Sequence, residues 1–359
     1  MYFKKHRLLT QKGAYALFCV FISLCSFSQV IPNLINNYSF EEYNNCPSSY
    51  DNIKDAKFWF KATVPGTSDY FNSCATNSIV SVPNNPWGIQ TAKTGNAYSG
   101  IAIYAEPLAN AREYIENGLK QNLMMNKLYC ITFFINLSDK ARIGANKIGF
   151  LFSKDSIREY FPIGPPYPLN YIPNYESNTV ITDTINWIQI QTTYTANGTE
   201  KFITIGNFKN DAGTVYTPTK PFISGNGYNV AYYFIDDVSV TEIINANAAI
   251  KDTLISRCVS DSVVLGTDST WDATYTWSST AAGLAALSCT NCPNPIAKPL
   301  ATTKYYLTKQ QCSATTIDSV TVVVLTPTTI ANAGNDKTIC IGEYTQLGTN
   351  DSLAFTNYS

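Results

Sequence analysis

The feature that most constrains the fold is a long series of short, β-prone runs separated by turn signals. The clearest runs are residues 128–137, 147–152, 187–194, 201–208 and 231–241. Asn197-Gly198 lies between two of these runs and is a hairpin signal. Roughly 210 residues of this kind predict an all-β fold, with one β-sandwich of the jelly-roll type up to residue 242.

Two stretches depart from this pattern. Ile115, Leu119 and Leu123 recur at helical spacing, which predicts a helix from Ala109 to Met125. Proline recurs through residues 161–175 (FPIGPPYPLNYIPNY) and excludes a regular strand or helix. This second stretch is therefore predicted to be a loop rich in aromatic side chains.

The first 28 residues are typical of an export signal. A basic segment precedes the apolar stretch Ala14–Leu24, which is short for a membrane span. Ser26-Phe27-Ser28 predicts cleavage near Gln29. A membrane anchor and a lipoprotein modified at Cys25 are the alternatives, although Leu24 is large for a lipobox. The mature chain is expected to be secreted or held at the outer cell surface, with no membrane span.

Composition excludes one class of partner. Charged residues make up 14% of the chain and the formal net charge is −1, so a nucleic-acid partner is not expected. The hydrophobic fraction of 45% is sufficient for real cores.

In an exported chain, cysteines are disulfide candidates before they are metal ligands. The predicted pairs are Cys46 with Cys74, Cys258 with Cys312, and Cys289 with Cys292. Cys130 lies in an apolar run and is interpreted as a buried free thiol. The Cys289-Thr-Asn-Cys292 spacing also fits a redox motif or half a zinc site, but the mature chain offers no histidine and no second such pair.

A repeat divides the rest of the chain. Cys258 to Thr267 aligns without a gap with Cys340 to Thr349, and Cys, Leu, Gly and Thr share one register. We expect a linker at 243–251, a β domain at 252–325, and the start of a second copy at 326–359. Because this copy stops before the counterpart of Trp277, the sequence is interpreted as a C-terminally truncated fragment.

Two motifs carry a family resemblance for residues 29–242. Asn33 to Glu41 (NLINNYSFE) resembles the opening strand of carbohydrate-binding-module-like, or galactose-binding-like, jelly rolls. Tyr233 to Val240 (YFIDDVSV) resembles their closing strand. The module resembles one found at the front of surface proteins of the Bacteroidetes.

The repeats resemble PKD-like and immunoglobulin-like domains of the same bacteria, on Leu265-Gly266-Thr267, Tyr275-Thr276-Trp277 and Cys289 to Pro293. Such repeats precede a gliding-motility-associated signal for type IX secretion, which implies an export machinery as a partner. By the same resemblance, Trp277 is the core tryptophan of its sandwich, near the predicted Cys258–Cys312 bridge.

Histidine chemistry is excluded from the mature chain, since the one histidine, His6, lies in the leader. A glycosidase needs only two carboxylates, for which Glu41, Glu42, Glu113 and Glu116 can be proposed. No tight acidic motif supports them, and no enzyme activity is predicted.

Aromatic side chains that stack on sugar rings are the candidate ligand contacts: Trp87, Tyr167, Tyr171 and Tyr175. The alternative is that they only cover the sandwich. Trp59 and Trp187 are assigned to the core.

The resemblance also implies a structural calcium. A jelly roll brings its first and last strands together, so Glu41 could meet Asp236 or Asp237 and supply oxygen ligands. The alternative is that these carboxylates only make hydrogen bonds at strand edges.

The sequence thus favours a non-catalytic adhesion protein whose jelly roll recognises a glycan or another surface polymer. The alternatives are an adhesin spacer without a small ligand, and the front part of a secreted glycan-active enzyme.

Overall fold

The computed structural model describes residues 32–222, 229–247, 256–258, 262–266, 269–325 and 336–345. The predicted leader, residues 248–251 of the predicted linker, and most of the last copy lie outside the described residues.

Strands dominate the described residues. Up to residue 242 they are β1 (Trp59–Lys61), β2 (Thr63–Val64), β3 (Asp69–Asn72), β4 (Asn84–Asn85), β5 (Gly88–Ile89), β6 (Ala97–Glu106), β7 (Tyr114–Gly118), β8 (Leu128–Leu137), β9 (Ile143–Ala145), β10 (Ile148–Ser153), β11 (Glu159–Tyr160), β12 (Tyr175–Glu176), β13 (Ile188–Thr195), β14 (Phe202–Asn207), β15 (Tyr216–Pro218) and β16 (Asn229–Glu242). They are followed by β17 (Ser256–Cys258), β18 (Val263–Val264), β19 (Ala273–Ser278), β20 (Ile296–Ala297), β21 (Thr303–Gln311) and β22 (Ala314–Leu325). One short helix, α1 (Ala281–Ala285), and two 3-10 turns (Ile53–Asp55 and Asp211–Gly213) complete the elements.

Two five-stranded sheets form the first sandwich, as the sequence predicts. The strand orders are β1-β7-β14-β10-β12 and β13-β8-β16-β6-β3, and every pairing within them is antiparallel. Ile115, Phe150 and Ile205 of the first sheet share one buried core with Ile101, Phe133 and Ile235 of the second. Alternation along each strand directs these side chains inward, because successive residues point to opposite faces.

The two ends of the sandwich meet, as its jelly-roll motifs predict. The Leu34 amide donates to the carbonyl of Val240 at 2.8 Å. The Asn33 side chain accepts from the Val240 amide at 3.0 Å and donates to the Val238 carbonyl at 3.0 Å.

The helix predicted from Ala109 to Met125 is wrong. Residues 114–118 form β7, which pairs with β1 and β14. Ile115 is buried in the core and Leu119 bridges to Ile35. A spacing of four is a multiple of the strand period of two, so the pattern that suggested a helix also fits an extended chain.

The proline-rich stretch is a loop over most of its length, as predicted. The loop begins directly after β11, which pairs with β2 in parallel, and it ends at β12, which pairs with β10.

A second β unit follows. Its main sheet has the order β17-β22-β21-β19, and β18 pairs with β20. Trp277 is 2% exposed and packs with Leu265, Tyr305 and Leu307, so its assignment to the core is confirmed.

The disulfides follow the prediction in part. Cys46 is bonded to Cys74, and Cys289 to Cys292, as predicted. Cys312 is bonded to Cys130, so both the Cys258–Cys312 pairing and the free thiol at Cys130 are wrong. Cys130 is buried on β8, where its sulfur meets the β21–β22 turn that carries Cys312, and the apolar run conceals this contact. Cys340 is exposed and is the one free cysteine among the described side chains.

Polar and aromatic contacts also link the two units. The Gln311 side chain donates to Thr241 Oγ1 and to the Glu242 carbonyl, each at 3.1 Å. Lys309 Nζ donates to the Ile244 carbonyl at 2.8 Å, and burial lowers the pKa of this amine to about 8. Tyr38 meets Trp271 edge to face at 4.8 Å. The second unit is therefore joined to the first by covalent and non-covalent contacts.

Candidate ligand-binding cleft

The sheet β13-β8-β16-β6-β3 is apolar on its outer face as well as on the face that lines the main core. Phe71, Tyr98, Tyr232 and Phe234 point away from the main core and form a separate buried cluster. Residues 73–96, here called the cover segment, lie over this cluster and contribute Val80 and Trp87 to it. The outer face is therefore enclosed in part.

A cavity of about 400 Å³ opens beside the cover segment. Its lining is mainly apolar and includes Trp87, Ala102, Leu108, Pro165, Pro166 and Val230. The polar or charged lining residues are Tyr50, Thr67, Asp69, Arg112, Glu113 and Tyr232. Apolar walls with a few placed polar groups are typical of small-molecule sites.

Trp87 forms one wall and is held firmly. Its ring stacks on Tyr232 with centroids 3.9 Å apart and planes 5° apart. The Trp87 carbonyl accepts from the Ser138 hydroxyl and from the Lys140 amide, the latter at 3.1 Å. The indole Nε1 is buried and has no hydrogen-bond partner in the protein. A buried donor without an acceptor is energetically costly.

Asp69 lies at the start of β3 on the outer face. Tyr232 donates its hydroxyl to Asp69 Oδ2 at 2.5 Å, and the Asp51 amide donates to Oδ1 at 2.8 Å. Burial raises the pKa of Asp69 well above its usual value, and the negative charge of Glu113 raises it further.

Glu113 precedes β7 and stabilises a β-bulge. Tyr232 pairs with Ala102 and Ala231 with Tyr104, so the register shifts at this point. Glu113 Oε2 accepts from the Ala102 amide at 2.7 Å, and Oε1 accepts from the amide and hydroxyl of Thr67. Burial raises the pKa of Glu113, although the bonds from Thr67 and Ala102 act in the opposite direction.

Arg112 is the positively charged residue of the described lining, and its guanidinium group is already paired within the protein. It forms an ion pair with Asp211 at 2.9 Å and donates to the carbonyls of Lys209 and Ala111 and to the Thr214 hydroxyl. Four of its five N–H groups therefore already have acceptors.

The predicted sugar contacts do not gather at one place. Trp87 lines the cavity, but Tyr167, Tyr171 and Tyr175 do not. Tyr167 meets Phe161 edge to face at 5.6 Å, Tyr171 is 45% exposed, and Tyr175 stacks on Phe150 against the main core. The proline-rich loop reaches the cavity through Pro165 and Pro166 instead.

The cavity also uses residues that the sequence did not single out, chiefly Asp69 and Tyr232. Tyr232 stands between two core-facing residues on β16, and this alternation was the available signal that it points outward.

The carboxylates considered for catalysis are dispersed. Glu113 is in the cleft, whereas Glu116 accepts from the Ile157 amide and the Thr204 hydroxyl within the fold. Glu42 is exposed.

The predicted calcium ligands surround one loop, but they are occupied by backbone donors. Glu41 Oε1 accepts from the amides of Asn96 and Ala97, at 2.8 and 3.0 Å. Asp236 Oδ2 accepts from the amides of Lys93 and Thr94. No group of three His, Cys, Asp or Glu side chains that could hold a metal is found in the part of the chain that the structure describes. The structure thus shows these carboxylates as hydrogen-bond acceptors, and calcium binding at them stays a prediction.

Burial, with the neighbouring Asp237, raises the pKa of Asp236 well above its usual value.

Across the described ranges, no helix is long and apolar enough to cross a membrane.

Two solved structures show a distant likeness to this chain. No family model matches this chain, and no curated protein matches it. It is similar to the CBM22-1 xylan-binding domain of Paenibacillus barcinonensis Xyn10C, with 11% identity, coverage of 60% of this chain and 95% of that chain, and a TM-score of 0.31. The K1 cleaved adhesin domain of Lys-gingipain from Porphyromonas gingivalis W83 shows 12% identity, coverage of 56% and 95%, and a TM-score of 0.28. Because these TM-scores are low, the likenesses are not used to assign the fold or the site. Both are assigned from the strands and contacts described above.

Proposed function

We propose that residues 29–242 form a non-catalytic module that binds a sugar unit of a glycan or surface polymer in the cleft. The observation that carries this proposal is the stacked pair Trp87–Tyr232 beside the Asp69 carboxyl in a cavity of about 400 Å³. Sugar rings place C–H faces on aromatic rings, while polar neighbours bind their hydroxyls.

The hydrogen bonds of the two cleft carboxyls favour binding over catalysis. Each oxygen of Asp69 and Glu113 already accepts from the protein itself. A general acid or base needs a free path to the reacting proton, and these groups instead support the walls.

The wider setting belongs to the same proposal. The chain is exported to the outer cell surface by a secretion machinery, and the repeats after residue 252 display the module. The resemblance of its motifs to surface proteins of the Bacteroidetes supports this setting.

A structural spacer is the second candidate function, and the Cys130–Cys312 bond favours it. A covalent junction between consecutive units suits a stiff projection that holds another part of the protein away from the cell.

A glycan-array screen of the full chain tests the proposal, with Trp87→Ala as the site variant. We expect binding to at least one glycan, and at least about tenfold weaker binding for the variant, equivalent to about 1.4 kcal/mol. Trp187→Ala is the matched control, because Trp187 is also half-buried on the outer face but does not line the cavity. Absence of binding across the array would support the spacer instead.

A further inference from the structure

The cleft has an unbalanced set of charges. Asp69 and Glu113 are both buried in its wall, 3% and 8% exposed. The one cation of the lining, Arg112, is paired with Asp211. The nearby Asp51 is itself paired with Lys61 at 2.7 Å. An incoming ligand therefore meets two carboxyl groups and no uncommitted positive charge on the described lining.

The hydrogen-bonding groups point to the same conclusion. Tyr232 and Tyr50 carry hydroxyls beside Asp69, and a sugar hydroxyl can both accept from a donor and donate to an acceptor. A carboxylate or sulfate on the sugar can only accept, would find no uncommitted cation on the described lining, and would make the ionised forms of Asp69 and Glu113 still less favourable.

We propose that the cleft selects uncharged sugar units and excludes acidic ones, with Asp69 as the residue that determines this selection. The inference rests on the proposed function of the same site and adds the class of ligand. It assigns an electrostatic role to Asp69 besides its bond to Tyr232.

Asp69 is the better residue to change. Glu113 accepts three bonds, two of them from backbone amides, so an amide in its place would oppose one of those donors. Asp69→Asn keeps the shape of the side chain and an oxygen for the Asp51 amide, while its NH₂ group can donate to the Tyr232 oxygen. Glu42→Gln is the matched control, because Glu42 is exposed and does not line the cavity.

The experiment measures binding of the full chain to matched pairs of polymers that share a backbone: galactan with polygalacturonate, mannan with polymannuronate, and cello-oligosaccharides with their 6-carboxy forms. For the pair that contains the best ligand, we expect the neutral member to bind at least thirtyfold more tightly. Asp69→Asn should reduce this ratio to below fivefold, and Glu42→Gln should leave it unchanged.

Two results would overturn the inference while leaving the proposed function intact. One is equal or tighter binding of the acidic member by the unchanged protein, with Trp87→Ala still abolishing binding. The other is a neutral-to-acidic ratio that Asp69→Asn does not alter. If neither these polymers nor any glycan on the array binds, the proposed function fails and the inference fails with it.

Discussion

At the residue scale, one glycine fixes the position of the most important aromatic side chain. Gly88 has φ of +140°, and a Cβ there would lie 1.6 Å from Asp139 Oδ1. The same Asp139 accepts from the Ile89 amide at 3.3 Å. A residue other than glycine would displace this turn, and Trp87 would move with it, because the two are adjacent.

Buried carboxyl groups also set the response of stability to pH. Burial raises the pKa of Asp69, Glu113, Glu116 and Asp236. The folded chain therefore holds more protons than the unfolded chain between the unfolded pKa values, near 4, and the folded ones. The contribution of these groups to stability is full below the unfolded values and is lost as pH rises through that window.

Asp69→Asn should weaken this dependence. One titrating group accounts for a fall of up to about 1.4 kcal/mol per pH unit within its window. We expect the free energy of unfolding of the variant to fall less steeply than that of the unchanged protein between pH 5 and pH 7, as measured by urea unfolding. Glu42→Gln should keep the original slope, and an equally steep slope in Asp69→Asn would contradict the assignment.

At the element scale, the wrong helix prediction has a physical origin. Ile115 and Leu119 fit both a helix and a strand, and only the pairing of β7 with β1 and β14 decides between them. The sequence did not predict the cleft for a similar reason. Asp69 lies on β3 of one sheet and Glu113 directly precedes β7 of the other, so only the packing of the two sheets brings them together. The turn signals beside Trp87, Asn85-Pro86 and Gly88, indicated an aromatic side chain on a turn, and the structure places this half-buried ring in the cavity wall.

The bond between β8 and the β21–β22 turn should contribute strongly to stability. It closes a loop of 182 residues in sequence separation, whereas Cys289–Cys292 spans 3. Because loop-closure entropy grows with length, we expect Cys130→Ala with Cys312→Ala to lower the free energy of unfolding by about 2–4 kcal/mol.

The double variant Cys289→Ala with Cys292→Ala is the control and should change it by less. Urea unfolding under oxidising conditions measures both variants. Equal effects would show that the long loop is not the source of the stabilisation.

At the scale of the whole molecule, the sequence was sufficient for the architecture. Period-two patterning predicts the sandwich, and the two end motifs predict the meeting of the first and last strands. The junction between the units was not predictable, because a repeat in sequence directs attention to bonds within each copy. Cys130 and Cys312 lie in different units, and nothing local to either residue indicates the other.

The Cys130–Cys312 bond also decides how the chain would respond to tension. A pull applied on either side of the pair passes from residue 130 to residue 312 through sulfur, so residues 131–311 bear no load while the bond is intact. In single-molecule stretching, opening this one bond should lengthen the fully extended chain by roughly 600 Å, at about 3.4 Å per residue. The Cys130→Ala, Cys312→Ala variant should reach that length without reductant, and equal lengths in all cases would contradict the bond. Tension on the intact chain would therefore extend only the segments outside residues 131–311, and β16 would bear none of it directly.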